Sequence, residues 1–401
     1  MSDLSARLAP HYSMFQVTRR LLLTGHSHQA WPDVALAGQI EAFRDAARAA
    51  DLKWELAMAK ADQVRAGFRR FMNDPSAELA LGGSTHELVL RFLSALDLRG
   101  RPRLVTTTGE FHTLRRQLGR LAEEGVEVVR VPAEPADTLA ARLARALDDR
   151  TAAVLVSAVL YESGRIVPGL GELARSCARR GTHLLVDAYH ALGVVPFRVA
   201  DVEPAWVVAG GYKYLQLGEG NCVLRVPPHA ARLRPVITGW FAEFAELAEE
   251  PGRGRVAYPA GAARFAGATY DPTSHYRAAR VFGFFAEQGL TDRVLRRVSQ
   301  RQLARLAERF DALDVPDRVI ARDRATPLAS FGGFLSLRTP YAARLRKSLA
   351  ARGLLTDSRG DRLRLGPAPY LSDRQLDTAV ETLATELTSM ATPRTASRPA
   401  A

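Results

Sequence analysis

The chain has 401 residues, 47% of them hydrophobic, enough to build one large domain and a smaller one. Its net charge is +12 and its pI near 10.2, but the arginines are scattered among acids in helical periods such as RQLGRLAEEG and RQLARLAERF, the pattern of a solvated face and not of a nucleic-acid footprint. Two cysteines, Cys177 and Cys222, in no metal or redox spacing exclude a disulfide framework and argue for a reduced, cytoplasmic setting; the first residues carry no basic-then-apolar leader, and no run approaches about 18 apolar residues, so no membrane span is expected.

Residues 1 to 75 read as helix-rich, interrupted by RRLLLTGHSHQAWPD, where a short strand at Leu21 to Leu23 leads into a polar turn ending at Pro32. Such a turn either contacts a ligand or caps the helix that starts beyond Asp33. His26 and His28 lack a third ligand nearby, so no metal site is expected. In LALGGSTHELVLRFLSAL a strand breaks at Gly82 and Gly83, and a helix opens on Ser84 and Thr85. Free amides and hydroxyls at that helix start make a phosphate cradle; the same residues also satisfy a plain N-cap.

From 100 to 225 apolar strands alternate with amphipathic helices, which predicts a doubly wound, mainly parallel sheet whose ligands gather outside the strand carboxyl ends. Phe111 stands at one such end, placed to stack on a planar group or to pack in the core. Ser157, Asp187 and Lys213 fall at three others. The run HLLVD ends a buried strand in a carboxylate, which is costly unless a cation meets it or it caps the next helix. Only four lysines, at 53, 60, 213 and 347, stand among 55 basic residues. Lys213 alone lies in a glycine-bounded turn between apolar runs, GGYKYLQLGEGN. A chain that uses arginine nearly everywhere keeps lysine where a nucleophilic amine is needed, unless Lys213 is one surface lysine that escaped a compositional bias. An aspartate that holds a pyridine nitrogen charged and a lysine on the next strand end are what a pyridoxal phosphate enzyme requires.

Residues 226 to 275 read as loop-rich. Helices are predicted over 275–288 and 292–311, then a small domain with strand FGGFLSLR, helix PYAARLRKSLAARG, strand DRLRLGPAPY and helix SDRQLDTAVETLATEL. The last residues, ATPRTASRPAA, have a disordered composition.

The succession GGSTHE, GEFHT, VDAYHALG, GGYKYLQLGEG, ITGWF, RFAGAT and LRLGPAPY is similar to the class V aminotransferase family of fold type I pyridoxal phosphate enzymes, and within it to the kynureninases. The resemblance implies an α/β large domain with a mainly parallel seven-stranded sheet between helices, over 51–290. It also implies a small α+β domain over 291–389, an N-terminal segment 1–50 at the active-site mouth, and a disordered tail from 390. Lys213 would be the Schiff-base lysine, Asp187 the partner of the ring nitrogen, and Tyr212 the third of the catalytic set. Ser84, Thr85, Phe111, Ser157, His190, Trp240 and Thr269 would surround pyridoxal 5'-phosphate, with Thr269 reaching the neighbouring subunit of a homodimer. Arg364 would bind the substrate carboxylate, with His26, Ser27 and His28 at the substrate's other end.

The implied reaction is hydrolysis of the Cβ–Cγ bond of L-kynurenine or a related amino acid to alanine and an aromatic acid, with transamination, β-elimination and epimerisation as alternatives. A cysteine desulfurase needs a nucleophilic cysteine just ahead of the carboxylate arginine, and TDSRGDR at 356–362 has none. Three departures fall where substrate would be read. His26, His28 and Gln29 stand in a stretch that kynureninases write Gly-Asn-Ser-Leu-Gly, Glu219 replaces a proline, and Ala242 and Glu243 follow Gly-Trp-Phe without a histidine. The rival class is a binding protein on a degenerate enzyme fold, which the presence of both Lys213 and Asp187 disfavours.

Overall fold

The computed structural model describes residues 2–246 and 256–391; the tail expected from 390 lies, from 392 on, outside the described residues. Helix α1 (Ser2–Leu8) and strand β1 (Leu21–Leu22) precede two long helices, α2 (Val34–Ala49) and α3 (Lys53–Phe71). Next come β2 (Glu78–Gly82), α4 (Thr85–Ser94), β3 (Arg103–Thr107), α5 (His112–Glu123), β4 (Glu127–Val131), α6 (Leu139–Arg145), β5 (Thr151–Ser157), α7 (Leu170–Arg179), β6 (His183–Asp187), β7 (Trp206–Gly210) and β8 (Cys222–Val226). The seven strands form one sheet in the order β2-β8-β7-β6-β5-β3-β4. Every neighbouring pair from β7 to β4 is parallel, whereas β8 runs antiparallel to both β7 and β2.

The apolar runs explain the sheet. All seven residues of β5 and all five of β7 and β8 are buried, as expected of strands covered on both faces. Alternate residues feed two different cores. Val154, Val156, Leu184, Val186, Val207 and Ala209 belong to one cluster, and Ala153, Leu155, Leu185, Trp206 and Val208 to the other, because successive side chains of a strand point to opposite faces. Parallel pairing also fixes where chemistry can occur. Thr107, Ser157, Asp187 and Gly210 end their strands on one edge, with Ser157 beside Asp187 and Asp187 beside Val208 in register.

Beyond this sheet run α8 (Thr273–Glu287), α9 (Asp292–Asp311), β9 (Ala321–Arg322), β10 (Leu335–Arg338), α10 (Ala342–Ala351), β11 (Leu354–Leu355), β12 (Asp357–Arg359), β13 (Arg362–Leu365) and α11 (Asp373–Ala391). Four of these strands make an antiparallel sheet in the order β12-β13-β10-β9. The predicted strand FGGFLSLR is shorter than expected, since the backbone of Gly332 bonds instead to the carbonyl of Gly164, 2.8 Å away. β1 pairs in parallel with β11, which fastens the N-terminal segment to the C-terminal part of the chain. Among the described residues, no helix is long and apolar enough to cross a membrane. Cys177 and Cys222 are free and buried.

Candidate active site

The loop after β7 presents Lys213. Side chains at Gly210 and Gly211 would run into Tyr189 and Leu217 respectively, so both positions must be glycine for the loop to fold back so tightly. The loop closes on itself through Gln216 N to Lys213 O (3.1 Å), Leu217 N to Gly211 O (2.9 Å) and Gly211 N to Asn221 O (2.9 Å). Gln216 takes a left-handed φ of 59° and is held there by its side chain. Tyr12 Oη donates to its Oε1 (2.5 Å), and its Nε2 donates to Gln29 (2.8 Å). Arg277 Nε anchors the far side on the carbonyl of Leu217 (2.7 Å).

Lys213 Nζ lies 2.7 Å from His190 Nε2 and 4.4, 5.7 and 5.8 Å from the ring centres of Tyr189, Tyr212 and Phe111. Burial pushes its amine down to about 7, against the pull of Asp187 and with a further push from Arg364. Burial likewise holds His190 neutral, and its Nδ1 has no partner. Asp187 accepts the amide of Tyr189 at 2.8 Å on Oδ1; burial raises its carboxyl above the usual range. A small crevice of about 20 Å³ reaches Asp187, lined by Phe111, Thr85 and His86 together with apolar residues such as Leu155 and Val208. Lys213 and Asp187 are thus each pushed toward their neutral forms, the condition of a site that gains by taking in a cationic group beside the carboxylate.

The turn ahead of α4 shows the N-cap of the sequence reading. Ser84 Oγ caps the helix by accepting Glu87 N at 3.2 Å, and Glu87 returns a carboxylate oxygen to Gly83 N at 2.9 Å, close to a capping box. Arg91 pairs with Glu87 and donates to Phe265 O (2.7 Å). Ser84 is therefore engaged within the turn, while Thr85 lines the crevice that reaches Asp187. Ser157 is also engaged: its hydroxyl donates to Glu110 Oε2 (2.6 Å) and its amide to Oε1 (3.2 Å). Thr107 donates to the same carboxyl (2.7 Å), which burial pushes up to about 7. Glu110 is a site-building residue that the sequence reading passed over; its place directly before Phe111 was the available signal.

Arg364, 3% exposed, stands 5.5 Å from the ring centre of Phe334 in an interior strand and not on an edge. It pairs with Asp357 and donates to the carbonyl of Tyr161; its Nε has no partner. Asp357, another residue not singled out from sequence, also accepts Arg359 at 2.9 Å. His26 is fully buried next to it, its ring tilted against Phe334 with centres 4.6 Å apart. Ser27 Oγ and His28 Nδ1 are 3.1 Å apart, and exposed His28 stacks on Tyr212 at 4.7 Å and faces Glu219 at 3.5 Å. Trp240 Nε1 donates to Thr269 Oγ1 at 3.1 Å, and both lie on exposed surface. Among the described residues no group of three or more His, Cys, Asp or Glu is arranged to hold a metal.

A family model described as aminotransferase class-V matches residues 44–247. The kynureninase of Bacillus cereus (strain ATCC 14579) is 25% identical over 306 residues, covering 73% of this chain and 69% of its own. That of Burkholderia mallei (strain SAVP1) is 30% identical over 259 residues, covering 62% and 58%. Among solved structures, a mutant of C-DES with glycine covalently linked to its PLP cofactor has a TM-score of 0.83 at 18% identity, covering 94% of this chain and 98% of that one. The apo cysteine desulfurase of Thermococcus onnurineus NA1 has a TM-score of 0.79 at 16% identity, covering 96% and 98%. At such identities the structural likeness speaks for the fold alone. With the family model spanning half of its length, the chain belongs to the class V aminotransferases, a family of fold type I pyridoxal phosphate enzymes.

Proposed function

We propose that this protein uses pyridoxal 5'-phosphate to hydrolyse the Cβ–Cγ bond of L-kynurenine or a related amino acid, giving alanine and an aromatic acid. The observation that carries the reading is the meeting of a buried amine, a neutral imidazole and a half-buried carboxylate at and just beyond adjacent strand ends: Lys213, His190 and Asp187. The residues fit the cofactor. Asp187 is a half-buried carboxyl suited to a protonated ring nitrogen, Phe111 offers a half-buried ring, and Thr85 with the amides opening α4 suits a phosphate. Trp240 and Thr269, on the surface, suit the phosphate of a second subunit, so the enzyme is read as a homodimer. Its two buried free cysteines suit the cytoplasm.

When bound, the cofactor supplies an aldehyde that takes an amine and a ring that stores the electron pair released at the substrate's α-carbon. An amine with a pKa of about 7 both releases and takes up a proton near neutrality, which suits Lys213 to move the α-proton. His190, with Nε2 2.7 Å from Nζ, aims that amine. Arg364 receives the substrate carboxylate, with the Tyr161 carbonyl steadying its guanidinium. Burial pushes the thiols of Cys177 and Cys222 up to about 12, so neither is a persulfide-forming nucleophile.

The choice of kynurenine rests on the kynureninase relatives, and product analysis tests it. Purified holoenzyme given L-kynurenine should release alanine and anthranilate in equal amounts. No anthranilate, together with a keto acid formed from another amino acid and the cofactor left as its amine, would establish a transaminase instead.

A further inference from the structure

Buried polar atoms without a partner occur at several places among the described residues, and one group of them lies around Asp357 and Lys213. This group includes both ring nitrogens of His26, Nδ1 of His190 and the Nε atoms of Arg359 and Arg364. Asp357 Oδ1 accepts Arg359 at 2.9 Å and the amide of Ser358 at 2.7 Å, and Oδ2 accepts Arg364. The β12–β13 hairpin sets this up, because Asp357 and Arg364 are partners across it, as are Arg359 and Arg362.

The charges can be counted. Arg359 and Arg364 bring two positive charges and Asp357 one negative. His26 adds none: its Nε2 stays 3.7 Å from Asp357 Oδ2, too far for a hydrogen bond, and its imidazole is wedged between Phe334 and Gly366, where burial keeps it neutral. The cluster therefore carries one surplus positive charge, enough for one carboxylate. A second carboxylate on the substrate would find no further arginine in this cluster and would face Asp357, and a like charge set against the wrong ligand is a recognised route to specificity.

We propose that Asp357 determines substrate class, confining the site to amino acids with a single carboxylate and turning away dicarboxylic ones. The proposal rests on the reading that Arg364 takes the α-carboxylate. L-asparagine and L-aspartate, nearly identical in shape, separate charge from size. Holoenzyme titrated with each, followed by the cofactor's absorbance, should bind asparagine at least about tenfold more tightly, a preference worth about 1.4 kcal/mol. Asp357→Asn should erase or reverse that preference, while Asp357→Glu keeps it. A wild-type enzyme that binds both alike, that fails to respond to asparagine, or whose preference survives in Asp357→Asn overturns the proposal. If Asp357→Asn does not fold, Arg359→Gln removes the surplus charge from the other side. Asparagine binding should then fall about tenfold or more at unchanged melting temperature, and unchanged binding overturns the proposal equally. Arg364→Ala tells the two readings apart. It should weaken both ligands; if asparagine binding is untouched, the carboxylate sits elsewhere and the functional reading fails first.

Discussion

Lys213→Met should stabilise the protein stripped of cofactor, most at low pH. Burial lowers the amine from 10.5 to about 7, and at about 1.4 kcal/mol per pKa unit keeping this lysine protonated in the fold costs roughly 4–5 kcal/mol below pH 7. Methionine fills similar space without that charge, but it leaves His190 Nε2 without its 2.7 Å partner, a loss of about 1–3 kcal/mol. The net gain is on the order of 1–4 kcal/mol. The sign with pH follows from proton counting. Between about 7 and 10.5 the unfolded chain holds a proton on Lys213 that the folded chain has released, so wild-type stability rises with pH across that window relative to the variant. The methionine variant's advantage is therefore full below about 7 and shrinks toward 10.5. Thermal unfolding of both cofactor-free proteins followed by circular dichroism, from mildly acidic to alkaline buffer, measures it. A variant less stable at every pH, or a gap that widens as pH rises, would refute the reasoning.

Arg364→Ala should lower kcat/KM for the physiological substrate roughly 30- to 1000-fold, the loss of a charge-assisted contact of about 2–4 kcal/mol. Asp357 keeps Arg359 as its partner in that variant, so the melting temperature should change far less than the rate. Leu155→Ala, in the middle of a fully buried strand, should cost about 2–5 kcal/mol in denaturant unfolding; a cost under about 1 kcal/mol would mean that the sheet is not packed on both faces. Sedimentation should find a homodimer, and a monomer turning over at full rate would contradict the assignment of Thr269 and Trp240 to a second subunit's site.

Much of the fold was legible because its signals are local. The apolar runs AAVLV of β5 and WVVA of β7, short, rich in valine and bounded by turns, read as covered strands, and parallel order then brought Asp187 and the Lys213 loop to one edge. Helices predicted at 275–288 and 292–311 are observed as Thr273–Glu287 and Asp292–Asp311, since caps and periodicity are also local. What escaped depends on pairing between distant or densely charged segments. Asp357 lay in TDSRGDR, which reads as a polar turn. A two-residue Gly360-Asp361 turn with Gly360 at φ 52° would have set the hairpin register and placed Asp357 opposite Arg364. Glu110 escaped because its partners, Thr107 and Ser157, meet only once β3 and β5 lie side by side. The engagement of Ser157 with the Glu110 carboxylate was hidden likewise: a hydroxyl in a sequence does not announce which acceptor the fold will bring to it, whereas the N-cap role of Ser84 is a local signal.

The central claim is that Lys213, alone among the four lysines of the chain, carries the cofactor. Protein purified with pyridoxal 5'-phosphate should be yellow, and borohydride reduction followed by proteolysis and mass spectrometry should place the pyridoxyl group on the peptide containing Lys213. A label on Lys53, Lys60 or Lys347, or a colourless protein that ignores added cofactor, would contradict it.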